Sequence, residues 1–229
     1  MTHLEEELHH LHEEMVEMGN LVKMQIEKSL TALIEEDVDL AREVIFNEKR
    51  VNAYELSIDK DCENILALLN PFASDMRFVF ATLKINTNFE RIGDSAEGIA
   101  KYILQSGKCF DKELLNDCHF FEMADTVKQM LHAVTSSYAD NNAKLARTVF
   151  KQDIILDEIN KSSTDNIALY INKRPENIYQ ALYLLTIIRK LERVGDHITN
   201  IAEEIIFHIE AKVLKHIKSA AKEEEDLNE

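Results

Sequence analysis

Two short blocks carry the residues best placed for chemistry: Glu90-Arg91-Ile92-Gly93-Asp94 and Glu192-Arg193-Val194-Gly195-Asp196. In each, one acid follows another after four residues. On a helix that spacing sets both carboxylates on one face, with Cβ atoms about 5–6 Å apart. Like charges so placed repel unless a cation joins them. A single pair of this kind reads as a solvated acidic face, screened by Arg91 or Arg193. The repetition argues for more, and so does the glycine inside each block. Glycine in a helix interior costs about 1 kcal/mol relative to alanine. Taken twice, that penalty points to close approach of another element or to room for a ligand.

Asp153 and Asp157 form a further pair with the same spacing, and an offset of 105 carries them onto Glu48 and Asn52. If the helices bearing these pairs lie antiparallel to those bearing the blocks, four donors converge in each half of the chain. One half then offers Glu48, Asn52, Glu90 and Asp94. The other offers Asp153, Asp157, Glu192 and Asp196. Oxygen donors of this kind suit Mg²⁺, Mn²⁺ or iron and can also hold zinc. Asn52 brings no charge, so the second half is expected to bind the tighter ion. His9, His10 and His12 read as a surface cluster near the start of the first helix. His197 reads as a structural histidine rather than an outer ligand, and Met15, Met18 and Met24 as core filling. No P-loop, G-x-S-x-G, H-E-x-x-H or dinucleotide fingerprint occurs, and nothing pairs a nucleophile with a base.

The elements that must position these residues are helices. Leu4, Leu8, Leu11, Met15, Met18, Val22, Ile26, Leu30 and Leu33 recur every three or four residues, the stripe of one long amphipathic helix. Asp37 is placed to cap a second helix, which Pro71 ends. Ser74 is placed to cap a third, stopped by Gly107. The pattern then restarts. Asp111 opens a fourth helix through Phe121 and Val134. Asn141 or Asn142 opens a fifth through Ile167, and Pro175, at N1, starts a sixth. Six helices of about 30 residues would each span roughly 45 Å.

The second three copy the first. Leu40-Ala41-Arg42 matches Leu145-Ala146-Arg147 at an offset of 105, whereas the two blocks match at 102. Three residues therefore drop out between these landmarks, most simply near Pro71. The predicted architecture is all-α, with two tandem, pseudo-symmetric, antiparallel three-helix bundles over residues 1–108 and 109–218. An acidic, disordered tail is expected over 219–229.

Composition fits this outline. The 229-residue chain is 45% hydrophobic, with only 5 Gly and 2 Pro, and its net charge is −16. Such a surface disfavours nucleic acid and anionic lipid. Cys62, Cys109 and Cys118 are odd in number and lack a C-x-x-C pair, so reduced thiols are expected. The start of the chain lacks the features of a signal peptide, and the longest charge-free apolar run, Ile178 to Ile188, is too short to span a bilayer. A cytoplasmic location without membrane insertion is the expectation.

Leu66-Ala67-Leu68, the Pro71-x-x-Ser74-Asp75-x-Arg77 turn and the first acidic block together resemble the first half of the PhoU family. Leu191 through His197, followed by Asn200-Ile201-Ala202-Glu203, is similar to its second half. The resemblance runs from about Leu11 to Phe207. It implies metal clusters at the bundle surface, held by acidic motifs that fall on Glu48 with Asn52, Glu90 with Asp94, Asp153 with Asp157, and Glu192 with Asp196. Iron, zinc or manganese are the ions it implies, and Asn52 departs from its pattern. It further implies a non-enzymatic negative regulator of phosphate uptake and of the phosphate-starvation response. Such a protein links the ATPase subunit of a phosphate ABC transporter to a sensor histidine kinase, and a homodimer is expected. Two alternatives stand beside it. One is a carboxylate-bridged, ferritin-like metalloenzyme, which needs mid-helix Glu-x-x-His motifs that this chain lacks. The other is a purely structural bundle.

Overall fold

The computed structural model describes residues 2–107 and 109–213. The tail expected over 219–229 lies outside them. Among the described residues there is no strand. The first bundle is α1 (His3–Glu35), α2 (Val38–Leu68) and α3 (Ala73–Ser106). The second is α4 (Lys112–Asp117), α5 (Phe120–Ala139), α6 (Ala143–Ala146), α7 (Val149–Lys173), a 3₁₀ turn (Pro175–Asn177) and α8 (Ile178–Glu210). No described helix is long and apolar enough to cross a membrane.

Local chemistry sets most boundaries. Asp37 caps α2 by accepting from the amides of Asp39 and Leu40, and Gly107 closes α3 with φ +58°. Ser74 does not cap α3. The helix begins two residues sooner, with Phe72 at the N-cap and no side-chain cap, and the Ser74 hydroxyl donates to Asp75 instead.

The expected fourth and fifth helices are each broken in two. Asp111 caps α4 as predicted. On a continuous helix, however, Phe120 would point away from buried Leu114, Leu115 and Cys118. His119, at φ +52°, turns the chain through the left-handed region and brings Phe120 into the core. Asn142 caps α6 through the amide of Leu145. At Thr148 the chain tightens, with its amide bonding to Leu145 O at 3.1 Å and its hydroxyl to the same oxygen at 2.7 Å. Ala146 and Val149, on either side of that turn, are both buried.

The apolar core runs unbroken through both bundles. They meet along a seam where α3 packs on α8 and α1 on α5. The seam has a pseudo-two-fold pattern. Asn88 on α3 is opposed by Asn200 on α8, 3.5 Å between side chains. Gly98 on α3 is opposed by Lys190 on α8. The offset of 102 takes Asn88 to Lys190 and Gly98 to Asn200, so the two contacts exchange. Lys84 also crosses the seam, gripping both oxygens of Glu204 at 3.0 and 3.1 Å.

Candidate metal centre

The glycines of the two acidic blocks mark a helix crossing made twice. A Cβ added at Gly93 would lie 3.0 Å from Val51 Cγ1. One added at Gly195 would lie 2.6 Å from Leu156 Cδ1 and 2.8 Å from Asp153 Oδ1. Val51 and Leu156 are related by the offset of 105, and the glycines by 102. Thus α2 crosses α3 in the same register as α7 crosses α8, and the three-residue deletion falls between the two crossing points along the chain. Close approach accounts for both glycines. In the second bundle the bare backbone also leaves room for the Asp153 carboxylate.

That crossing places the predicted acids on shared faces. In the first bundle, Glu90 is half-buried at 15% side-chain exposure, and Asp94 is more open at 46%. Burial, then the charges of Asp94 and Glu55, push the Glu90 carboxyl up to about 7, against the pull of Arg91. Arg91 braces the pair, 3.5 Å from Glu90 and 3.8 Å from Asp94. Burial and the charges of Glu97 and Asp94 likewise raise Glu48, which a hydrogen bond from Asn52 and the charge of Lys101 partly offset. Glu55 is raised by burial and by Asp59 and Asp94, with Arg91 opposing. Glu48, Asn52, Glu90 and Asp94 therefore do share one face.

Pairwise spacing missed Glu55 and Glu97. Each lies seven residues beyond an expected donor, Glu48 or Glu90, which is two turns along the same side. Extending the search by one heptad would have found them. The corresponding residues in the second bundle are Asn160 and Thr199.

In the second bundle Asp153 is 1% exposed, while Asp157, Glu192 and Asp196 are half-buried. Here the acids are more recessed than in the first bundle. In neither bundle do three of the described carboxylates bring ligand atoms within 4.8 Å of one another. Mutual repulsion holds such groups apart, and a multivalent cation would draw them in. The donors fit a hard cation: all are oxygens, one acid is buried at a helix crossing, and a cation would relieve the burial and repulsion that raise Glu90. The ion would supply the positive charge that joins each pair of helices.

His197 is no part of this arrangement. It turns across the seam, its Nδ1 2.9 Å from Asn88 Oδ1, and burial lowers its pKa.

Two three-helix units with acidic faces at matched crossings define the class: an all-helical, internally duplicated bundle protein. A family model described as "PhoU domain" matches residues 15–103 and again 120–205. The phosphate-specific transport system accessory protein PhoU of Escherichia coli K12 is 30% identical over 211 residues, 92% of this chain and 87% of that one. A PhoU homolog from Burkholderia sp. is 31% identical over 207 residues, covering 89% of this chain and 87% of that one. The crystal structure of PhoU from Pseudomonas aeruginosa superposes with a TM-score of 0.85 at 30% identity, over 91% of this chain and 99% of that one. PhoU from Streptococcus pneumoniae superposes with a TM-score of 0.81 at 28% identity, over 93% and 99%. The chain belongs to the PhoU family.

Proposed function

We propose that this protein is a metal-bearing adaptor in the cytoplasm that restrains phosphate uptake and represses the phosphate-starvation response. In this reading it connects the ATPase subunit of a phosphate ABC transporter to a sensor histidine kinase, as a homodimer. The observation that carries the reading is the likeness, along most of the chain, to accessory proteins of the phosphate-specific transport system. Surface chemistry supports an adaptor. Met76 and Phe80 are exposed on the first turns of α3, and the offset of 102 takes them to Ile178 and Leu182, exposed on the first turns of α8. Phe72 and Tyr179 stand beside these pairs, 79% and 75% exposed. Exposed apolar groups that recur at one end of both bundles suit contacts with other proteins. Deleting the gene should leave phosphate-scavenging genes switched on in rich phosphate, as read from a promoter fusion. Normal repression in the deletion strain overturns the reading.

The ions in this proposal sit at Glu48, Asn52, Glu90 and Asp94, and at Asp153, Asp157, Glu192 and Asp196, with iron, zinc or manganese as occupants. The second bundle is the tighter site, though not by simple charge count, because Glu55 and Glu97 add carboxylates to the first. Recessed carboxylates attract a cation through a lower effective dielectric. Titrating Mn²⁺ into chelator-stripped protein should show Glu192→Ala with Asp196→Ala removing the stronger binding, and Glu90→Ala with Asp94→Ala the weaker. Equal affinities would contradict this order.

A further inference from the structure

His9, His10 and His12 of α1 do not form one surface cluster. His9 faces Glu13, 3.4 Å away, on the exposed side. His12 stacks on Tyr138 of the second bundle, ring centroids 5.1 Å apart. His10 instead joins Glu14, four residues on, and Asp61 of α2, and the ligand atoms of the three all lie within 4.8 Å of one another.

The surroundings of Glu14 are those of a ligand lacking its counter-charge. Its Oε1 accepts from Ser57 Oγ at 3.2 Å. Its Oε2 is shut off from solvent and has no hydrogen-bond partner among the described residues. Burial, and then the neighbouring Asp61 carboxylate, raise the Glu14 carboxyl, against the pull of His10. A buried acceptor without a donor is destabilising, and more so when it is charged. A cation between the carboxylates removes both the repulsion and the orphaned oxygen.

We infer that His10, Glu14 and Asp61 form a cation site between α1 and α2, separate from the acidic faces and suited to Zn²⁺. One imidazole nitrogen and two carboxylate oxygens, with water in a fourth position, make a donor set that zinc accepts. Imidazole favours zinc over magnesium, which prefers oxygen alone. Helix geometry supplies the ligands as it supplies the acidic pairs. His10 and Glu14 lie one turn apart on α1, and Ser57 and Asp61 one turn apart on the antiparallel α2. The site is not duplicated. Its counterparts at the offset of 105 are Leu115, His119 and Asn166, which cannot reproduce it. A bound ion would tie α1 to α2 in the first bundle alone.

The test is a calorimetric titration of Zn²⁺ into the chelator-stripped full chain, with excess Mg²⁺ present to fill the all-oxygen faces, while the imidazole resonances are followed by NMR. One Zn²⁺ should bind with the His10 ring shifting. His10→Ala and Asp61→Asn should each weaken it by at least about the 10–100-fold that loss of a mere supporting partner costs. His10 is exposed, so its removal leaves the fold intact, and unchanged circular dichroism verifies this. Glu192→Ala with Asp196→Ala, and Glu90→Ala with Asp94→Ala, should retain this binding, which separates the site from the acidic faces. Unmoved His10 resonances, undiminished binding in His10→Ala, or loss of binding in His9→Ala instead, overturns the inference.

Discussion

At the scale of single residues, the first bundle stores electrostatic repulsion that pH and metal should release. Glu90 titrates near 7 in the folded chain and near 4.5 in the unfolded one. Between those values the native state holds a proton that the unfolded state has lost. Stability from this group is therefore fully present below about 4.5 and is lost as pH rises through about 7. Glu48 and Glu55 shift in the same direction. His197 and His208, lowered mainly by burial, act oppositely, since their charging on acidification destabilises the fold. The informative quantity is thus the difference between two proteins. In the absence of metal, Glu90→Gln should gain stability over wild type as pH rises from about 5 to about 8, measured as urea midpoints. A constant difference across that window contradicts the assignment. The acids were legible in the sequence because four-residue spacing on a helix is unambiguous. Glu55, Glu97 and the grouping of His10 with Asp61 were not. They depend on which turns of two different helices lie level, and that follows from the packing register rather than from spacing along one helix.

At the scale of elements, each glycine is a compromise between helix propensity and crossing distance. Gly93→Ala regains about 1 kcal/mol of propensity but pushes on Val51, whose Cγ1 stands at 3.0 Å. These terms nearly cancel, and a change within about 1 kcal/mol is expected. Gly195→Ala must displace both Leu156 and the Asp153 carboxylate, from 2.6 and 2.8 Å. Both are buried, so overpacking should prevail and cost about 1–3 kcal/mol. Chemical denaturation of the two variants checks the order, and an equal or reversed effect would show that the two crossings are not alike in tightness. Helix number was less legible than helix content. At His119 the break was there to be read, since Phe120 follows Cys118 by only two residues and a continuous helix would turn it outward. At Thr148 it was not, since buried Ala146 and Val149 are three apart and fit a continuous helix. The missed cap at Ser74 has a related cause, since the chain enters α3 early and leaves Ser74 within the first turn.

At the scale of the whole molecule, charge and the seam govern stability. A net charge of −16 opposes compactness, and added salt should raise the melting temperature as the screening length shrinks to about 10 Å near 0.1 M. A melting temperature that falls with NaCl would mean that ion pairs outweigh the general repulsion. Along the seam, Glu204 is mostly buried at 11% side-chain exposure and has Lys84 as its cation. Lys84→Ala should cost about 1 kcal/mol, a modest figure because Lys84 is itself half exposed. Adding Glu204→Gln should restore much of that loss by removing the stranded charge, as a double-mutant cycle would show. The exchange of contacts between α3 and α8 has a consequence of another kind. Each half meets the other with the same surface that the other presents in return, as two copies of a single subunit would. The molecule has the construction of a homodimer whose genes were joined end to end. Its short link after Gly107 then acts mainly as a tether, raising the concentration at which the halves meet. A chain cut there, with both pieces made together, should reassemble along the old subunit boundary.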